Sequence, residues 1–368
     1  MPKPHVPCPP NEMMDILSQL LLRESSDPDR AAAELDQRLR SITHDEFRSM
    51  IDLANTNHVL MRGVQVFLEV MRRADDDVRA EWAENALQAE QARITNAICF
   101  LEEICAVFEE QECDVAVIKS LDHWPDLGSD LDLYTDAASP AVIEVMRRRF
   151  NAEIAPRSWG DRLAGKWNFL IAGMPEAVEI HVGRLGQTGE QTGIASSLLD
   201  RTRLIVVVER TFRVPSIVDR VMISTLQRMY RHFYFRLCDI VDSAALADSG
   251  EIDYRELRSA AEHAGIWEGV ATYLLIVSDY VQKYRGRGIN LPSFVHDSAR
   301  FSGGDVYFAR GFLRVPIMPQ SARLYGSQLT GLLRKRELES SARLSLLPWL
   351  ATAAAVGQKI TGNDKGIW

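Results

Sequence analysis

The 368-residue chain has five cysteines, Cys8, Cys99, Cys105, Cys113 and Cys238, with no Cys-x-x-Cys pair and no Cys/His spacing of the zinc-finger kind. The spacing therefore indicates neither a structural zinc nor a disulfide framework, and the five read as small, buried apolar residues in a reducing compartment. No stretch approaches the roughly 18 consecutive apolar residues of a membrane-spanning helix. The opening MPKPHVPCPPNEMM has prolines where a secretory leader would need an apolar run, so a cytoplasmic location is expected. Positive charge is also lacking. A formal net charge of -9 argues against a broad, sequence-independent grip on nucleic acid, which depends on Lys and Arg neutralising phosphates. There is no internal repeat.

What the chain does contain is an ordinary globular composition, 46% hydrophobic and 25% charged, enough for two or three packed units. The segments MMDILSQLLL, AAAELDQRLRSI, HVLMRGVQVFLEVMRRA and VRAEWAENALQAEQARITNAICFLEEICAVFEEQ space apolar residues three and four apart, which predicts helices over the first hundred positions. At Asp114 the period changes. DVAVIKS is a short apolar run expected to form a buried strand, followed by the loop LDHWPDLGS. DLDLYTD alternates polar and apolar residues, as a strand with one polar face does. Ser139-Pro140 then offers a cap and a first-turn proline for the helix VIEVMRRRF, whose Arg147, Arg148 and Arg149 read as a solvated end.

KWNFLIAG and AVEIHV, separated by Met174, Pro175 and Glu176, read as a hairpin or a closely spaced strand pair, and LIVVVE as a further strand. Beyond Pro215 the periodicity is helical again, as two helices or one kinked one. The expected fold class is α+β, with an N-terminal helical region (1–95), an α/β core (96–214) and a C-terminal helical domain (215–368). GLLRKRELESSARLSLLPWLATAAAVG reads as a docked terminal helix. The alternative is contact with a membrane surface or a partner.

Residues two apart on a strand share a face, so Asp130 and Asp132 present two carboxylates side by side while Leu131 and Leu133 point to the core. Like charges so placed repel unless a cation lies between them, and hard ions such as Mg²⁺ are commonly held by a few carboxylates plus substrate phosphates. Glu179, on a strand that can lie alongside, would supply a third. The alternative is that the pair lies on the wet face of an edge strand, where charge discourages aggregation.

The order of these segments resembles an uncharacterised bacterial branch of the polymerase-beta-like nucleotidyltransferase superfamily, over roughly residues 40 to 300. In that branch a strand ends in Leu-Lys-Gly, a Gly-Asp-x-Asp strand follows a loop, and an acidic-x-His strand and an Arg-Leu-x-x-x-x-Asp pattern come later. Here the matching residues are Lys119-Ser120, Gly128-Ser129-Asp130-Leu131-Asp132, Glu179-Ile180-His181, and Arg236, Leu237 and Asp242. The chain departs from the pattern at Ser120, where the family has Gly. It departs again at His123-Trp124-Pro125-Asp126-Leu127, which replaces an Arg-Pro before the Gly-Asp strand.

The resemblance implies a mixed-sheet nucleotidyltransferase core in which Asp130, Asp132 and Glu179 hold two Mg²⁺ ions. Nucleoside monophosphate would pass from a triphosphate such as ATP to an acceptor hydroxyl or phosphate, releasing pyrophosphate. Lys119 and Ser120, with Gly128 and Ser129, would meet the nucleotide phosphates. His181 would orient a ligand or contact a phosphate, unless it is a structural histidine. Arg236 and Asp242 would approach base or acceptor, unless they are ion-paired between helices. Tyr230, His232, Phe233 and Tyr234 form an aromatic stripe that either stacks a base or belongs to the core. The acidic charge favours a small molecule or peptide over tRNA as acceptor. A catalytically inactive scaffold of the same fold is the competing expectation.

Overall fold

The structure, a computed structural model, describes residues 10–23 and 30–349; Cys8, the proline-rich start and the apolar run from 350 onward lie outside the described residues. The chain is mixed α+β. Five helices come first: α1 (Pro10–Leu22), α2 (Arg30–Ser41), α3 (His44–Thr56), α4 (Leu60–Arg73) and the 34-residue α5 (Asp77–Glu110). Their starts follow local chemistry. Thr43 and Glu46 form a reciprocal capping box on α3, and the Asp76 side chain accepts the Arg79 N–H at the start of α5.

A mixed five-stranded sheet follows, built from β1 (Val115–Val117), β2 (Asp130–Thr135), β3 (Glu153–Ile154), β4 (Lys166–Leu170) and β5 (Ala177–Val182), in the spatial order β1-β2-β5-β4-β3. β2 runs antiparallel to β1 and parallel to β5, and β4 pairs antiparallel with β5 as the hairpin expected around Met174–Glu176. β2 is thus an internal strand, and the edge-strand explanation of Asp130 and Asp132 does not apply. Between β2 and β3 lies α6 (Ser139–Phe150), and between β3 and β4 the short α7 (Trp159–Leu163). The expected cap of α6 is corrected by one residue: Ala138 occupies the cap position, while Ser139 Oγ accepts the Trp167 Nε1–H at 3.1 Å. Arg147, Arg148 and Arg149 are solvent-exposed, as expected of that helix end.

The sheet separates two cores, which explains why DVAVIKS is apolar on both parities. Val115, Val117, Leu131, Leu133, Val178 and Ile180 pack against Ile98, Leu101 and Phe108 of α5 and Val142 and Met146 of α6. Ala116, Ile118 and Tyr134 face the opposite way and join a larger core shared by α1–α4 and the C-terminal helices. The N- and C-terminal helical regions therefore bury their apolar faces in one another.

After α8 (Thr192–Ser197), a separate hairpin of β6 (Thr202–Val207) and β7 (Arg210–Pro215) contains the LIVVVE run. The helical stretch beyond Pro215 is α9 (Ile217–Thr225), a π-helical turn (Leu226–His232), the short β8 (Tyr234–Phe235) and α10 (Leu237–Asp248). α11 (Tyr254–Ala264), α12 (Trp267–Arg285) and α13 (Ser293–Ser298) follow, then β9 (Tyr307–Ala309) and β10 (Phe312–Arg314), the latter pairing with both β8 and β9. α14 (Ala322–Arg334) and α15 (Leu338–Ser345) close the described chain, and Leu324, Gln328, Leu332 and Leu344 are buried, so this part is docked. No helix of the described residues is long and apolar enough to cross a membrane.

Candidate functional site

A polar cleft opens where the carboxyl-bearing face of the sheet meets the π-helical turn before β8. Its floor comes from the strand register. Asp132 lies directly beside Glu179 on the parallel neighbours β2 and β5, and Asp130 stands two residues back on the same face. His181 Nε2 is 2.8 Å from Glu179 Oε1 and 3.8 Å from Asp132 Oδ1. The ligand atoms of Asp132, Glu179 and His181 lie within 4.8 Å of one another, close enough to share a metal ion. Asp130 lines the cleft beside that group without belonging to it.

Two lysines meet these carboxylates. Lys119 Nζ contacts Asp132 Oδ1 and lies 3.4 Å from Glu179 Oε1, and Lys166 Nζ sits 2.5 Å from the same Glu179 oxygen with its side chain 1% exposed. Burial would raise the Glu179 carboxyl, yet Lys166, then Lys119 and the His181 hydrogen bond hold it well below the usual range. Asp130 moves the other way. Enclosure and repulsion from Asp132 and Glu179 push it up, against the pull of Lys119 and Arg236. Burial lowers the Lys166 ammonium to about 8, with Arg231 adding to the effect. Burial and Lys166 likewise favour a neutral His181.

Lys119 is held by an unusual backbone. With φ 63° and ψ -52°, and the Ser120 N–H donating to Ile118 O at 2.6 Å, it is the central residue of a classic γ-turn, a strained conformation for a non-glycine residue. Ser120 follows at once. Its Oγ accepts the Asp132 N–H at 2.7 Å and donates to Asp130 O at 3.3 Å, tying the turn to the carboxylate strand.

The opposite wall carries three arginines: Gln227, Arg228, Arg231, His232, Tyr234 and Arg236 line it, from the π-helical turn, β8 and the cap position of α10. Arg228 is consumed in a buried pair with Asp239 at 2.7 Å. Arg231 and Arg236 form no ion pair among the described residues. The field they create reaches the neighbouring imidazoles. Burial and then Arg236 push His58 well below its ordinary range, and burial, Arg231 and Arg228 do the same to His232. Carboxylates on one side and guanidiniums without a carboxylate partner on the other make a bipolar cleft, suited to an anion that arrives with a cation.

The loop between β1 and β2 is clamped by the helical regions. Arg93 of α5 donates to Leu127 O at 2.9 Å and Gly128 O at 3.3 Å and pairs with Glu176. Arg62 of α4 pairs with Asp126 at 2.6 Å, and Arg220 of α9 with Asp122 at 3.0 Å. Gly128 has to be small, since a Cβ there would lie 2.8 Å from His58 Cε1.

Of the residues singled out from sequence, Lys119, Ser120, Gly128, Ser129, Asp130, Asp132, Glu179 and Arg236 line this one cleft. His181 sits behind the floor, bonded to Glu179. Asp242 does not line the cleft: it lies beneath, 2.5 Å from both Arg62 Nη1 and His123 Nδ1, so its interhelical ion pair is with Arg62, and Arg236 takes no part. The aromatic stripe divides. Tyr230 is buried in the core, where Gly269 leaves room for its ring, while His232 and Tyr234 reach the cleft. Sequence reasoning gave no role to Lys166, His58, Gln227, Arg228 or Arg231. The Arg228 and Arg231 pair, three apart on a turn of helix, was the only local signal. Cys99, Cys105 and Cys113 are partly exposed, which corrects the reading of all five cysteines as buried; Cys238 alone among the described ones is fully buried.

No protein-family model matches the chain, and no curated protein matches it either.

Proposed function

We propose that the chain is a divalent-metal-dependent nucleotidyltransferase of the polymerase-beta-like superfamily. It moves a nucleoside monophosphate from a triphosphate to a small-molecule or peptide acceptor. The observation that carries this is the bipolar cleft, with Asp132 and Glu179 side by side on parallel strands beneath the unpaired Arg231 and Arg236. The donor set is compatible with Mg²⁺: two of the three clustered groups are carboxylates, with His181 the third, and burial together with the acidic neighbours destabilises the adjacent Asp130 carboxylate until a cation joins them.

Asp132, Glu179 and Asp130 would hold the metal. When bound, the metal neutralises charge on the phosphates during in-line attack at the α-phosphorus as pyrophosphate leaves. Arg231 and Arg236 bind the β- and γ-phosphates, taking the part of the arginine that the loop before Gly128 lacks. Lys119 moves from Asp132 to the incoming phosphate, and Lys166 stays on Glu179 and fixes its orientation. Calorimetric titration with each nucleoside triphosphate and Mg²⁺ tests this. Binding should be lost in the Asp130→Ala/Asp132→Ala double variant, and unchanged binding there refutes the proposal.

One observation favours a second reading, a non-catalytic binding or scaffold protein on the same fold: Lys119 and Lys166 already neutralise the floor without a metal. Strictly Mg²⁺-dependent pyrophosphate release from any triphosphate would eliminate that reading. Binding without turnover, across acceptors drawn from the host extract, would favour it.

A further inference from the structure

A second constellation borders the same cleft and is chemically unlike the carboxylate floor. The ligand atoms of His58, His123 and Cys238 lie within 4.8 Å of one another. We propose that these three side chains bind a borderline-soft transition-metal ion, Zn²⁺ foremost, separately from the Mg²⁺ of the floor.

The three segments are fixed relative to each other by hydrogen bonds. Asn57 O accepts the Cys238 N–H at 3.2 Å and Asn57 Oδ1 the Leu237 N–H at 3.0 Å, so the first turn of α10 is fastened to the residue preceding His58. His58 itself sits at φ 53°, turning its ring back over Gly128. His123 closes the 3₁₀ turn Ser120–His123 and stands between Asp242 and Cys238, with Nδ1 2.5 Å from Asp242 Oδ2 and Nε2 3.7 Å from Cys238 Sγ.

Those distances match zinc chemistry. With Zn–N about 2.0 Å and Zn–S about 2.3 Å, nitrogen and sulfur ligands of a tetrahedral ion stand about 3.5 Å apart, close to the observed 3.7 Å. Rotations of the His58 ring and the thiol need to close at most about 1.5 Å to satisfy the same tetrahedral edges. The carboxylate on the far ring nitrogen is the usual second partner of a metal-binding histidine. It holds the proton on Nδ1 and leaves Nε2 free to ligate, and Asp242 is itself steadied by Arg62 at 2.5 Å. Two imidazoles and a thiolate select zinc-like ions over Mg²⁺, whereas the oxygen-rich floor does the reverse.

His58 and His123 line the cleft and Cys238 does not, so the fourth position faces the cleft. Arg236, 3.4 Å from His58 Nδ1, opposes a bare dication. The Cys238 thiolate lowers the charge, and an anionic fourth ligand beside Arg236 lowers it further. The full burial of Cys238 argues against the other chemistry a Cys–His–Asp row suggests, since a nucleophilic thiol has to be reached by substrate.

Titration of the reduced, full-length chain with Co²⁺, followed by absorption, decides the matter. One equivalent should give a near-ultraviolet thiolate-to-cobalt charge-transfer band with tetrahedral d–d bands, and Zn²⁺ should bleach both. Cys238→Ser should abolish the charge-transfer band, and Asp242→Asn should weaken Co²⁺ binding about 10- to 100-fold. The Asp132→Asn/Glu179→Gln variant, which keeps side-chain volume and an oxygen acceptor for Lys166, should keep the bands, so failure of the nucleotidyltransferase reading leaves this result standing. Absence of the band in the folded wild-type chain overturns the proposal, and so does a band that survives in folded Cys238→Ser. If Cys238→Ser fails to fold, the wild-type titration and His123→Ala decide in its place.

Discussion

Two three-residue groups border one cleft, each with two of its members in the lining, and they are held by opposite means. Asp132, Glu179 and His181 sit on adjacent parallel strands, so backbone register alone places them, and two lysines hold their charge in check. His58, His123 and Cys238 come from a turn, a 3₁₀ loop and a helix start, and side-chain hydrogen bonds to Asn57 and Asp242 bring them together. A group set by register is rigid and carries its electrostatic cost inside itself. A group set by loops depends on every clamp that holds those loops, from Arg62 and Arg93 to Arg220.

The largest expected effect breaks the first group. Glu179→Ala leaves Lys166, 1% exposed, without its carboxylate, and an uncompensated buried charge costs about 3–5 kcal/mol. Lys166→Met should cost far less, because Glu179 keeps Lys119 and His181 and an apolar side chain takes the buried volume. Urea denaturation of the two variants measures the asymmetry. Equal losses would mean that Lys166 does not depend on Glu179.

The next effect probes a clamp of the loop group. Burial pushes Asp126 up to about 6 even though Arg62 and the Met61 N–H pull it down. Its folded-state value lies above the unfolded one, so between about pH 4 and 6 the folded chain binds a proton that the unfolded chain does not. Stability therefore falls as pH rises through that window, on the order of 2–3 kcal/mol for a shift of this size, and is flat above it. Asp126→Asn keeps an acceptor for Met61 and removes the titration. The stability difference between wild type and variant should change across pH 4 to 6 and be constant from pH 7 to 8. A difference independent of pH would contradict the assigned burial.

The same contrast explains what was legible in the sequence. The helix–strand–helix order, the pairing of the two runs around Pro175 and the common face of Asp130 and Asp132 all follow from periods of 3.6 and 2, which local sequence records. That β5 could lie beside β2 was expected, but that β2 is internal rather than an edge strand was not readable, because strand order is settled by packing between distant segments. Lys166 looked like one more strand residue, since its meaning depends on the register opposite His181. His58, His123 and Cys238 obey no metal-ligand spacing at all. The turn at residue 58, the docking of α10 on Asn57 and the bond from His123 to Asp242 bring them together. Arg231 was hidden for a similar reason: a π-helical turn and a short strand interrupt the helical stretch expected beyond Pro215, whereas Arg236 was marked by the Arg-Leu-x-x-x-x-Asp pattern.

The smallest effect separates the two groups without touching a side chain of either. A methyl at residue 128 would stand 2.8 Å from His58 Cε1 and 3.2 Å from its Nδ1, with the ring confined by Arg236 and His123. Gly128→Ala therefore has to displace the His58 ring, and overpacking of this kind costs about 1–3 kcal/mol. Asp132 and Glu179 are held by the ladder between β2 and β5, which a methyl in the preceding loop does not reach. The variant should lower the denaturation midpoint modestly and weaken Co²⁺ binding at the imidazole–thiolate group, while Mg²⁺ binding at the floor in the absence of nucleotide changes by less than about threefold, or 0.65 kcal/mol. If Gly128→Ala instead weakens both in parallel, the two groups are one coupled unit, and the division by mode of support is wrong.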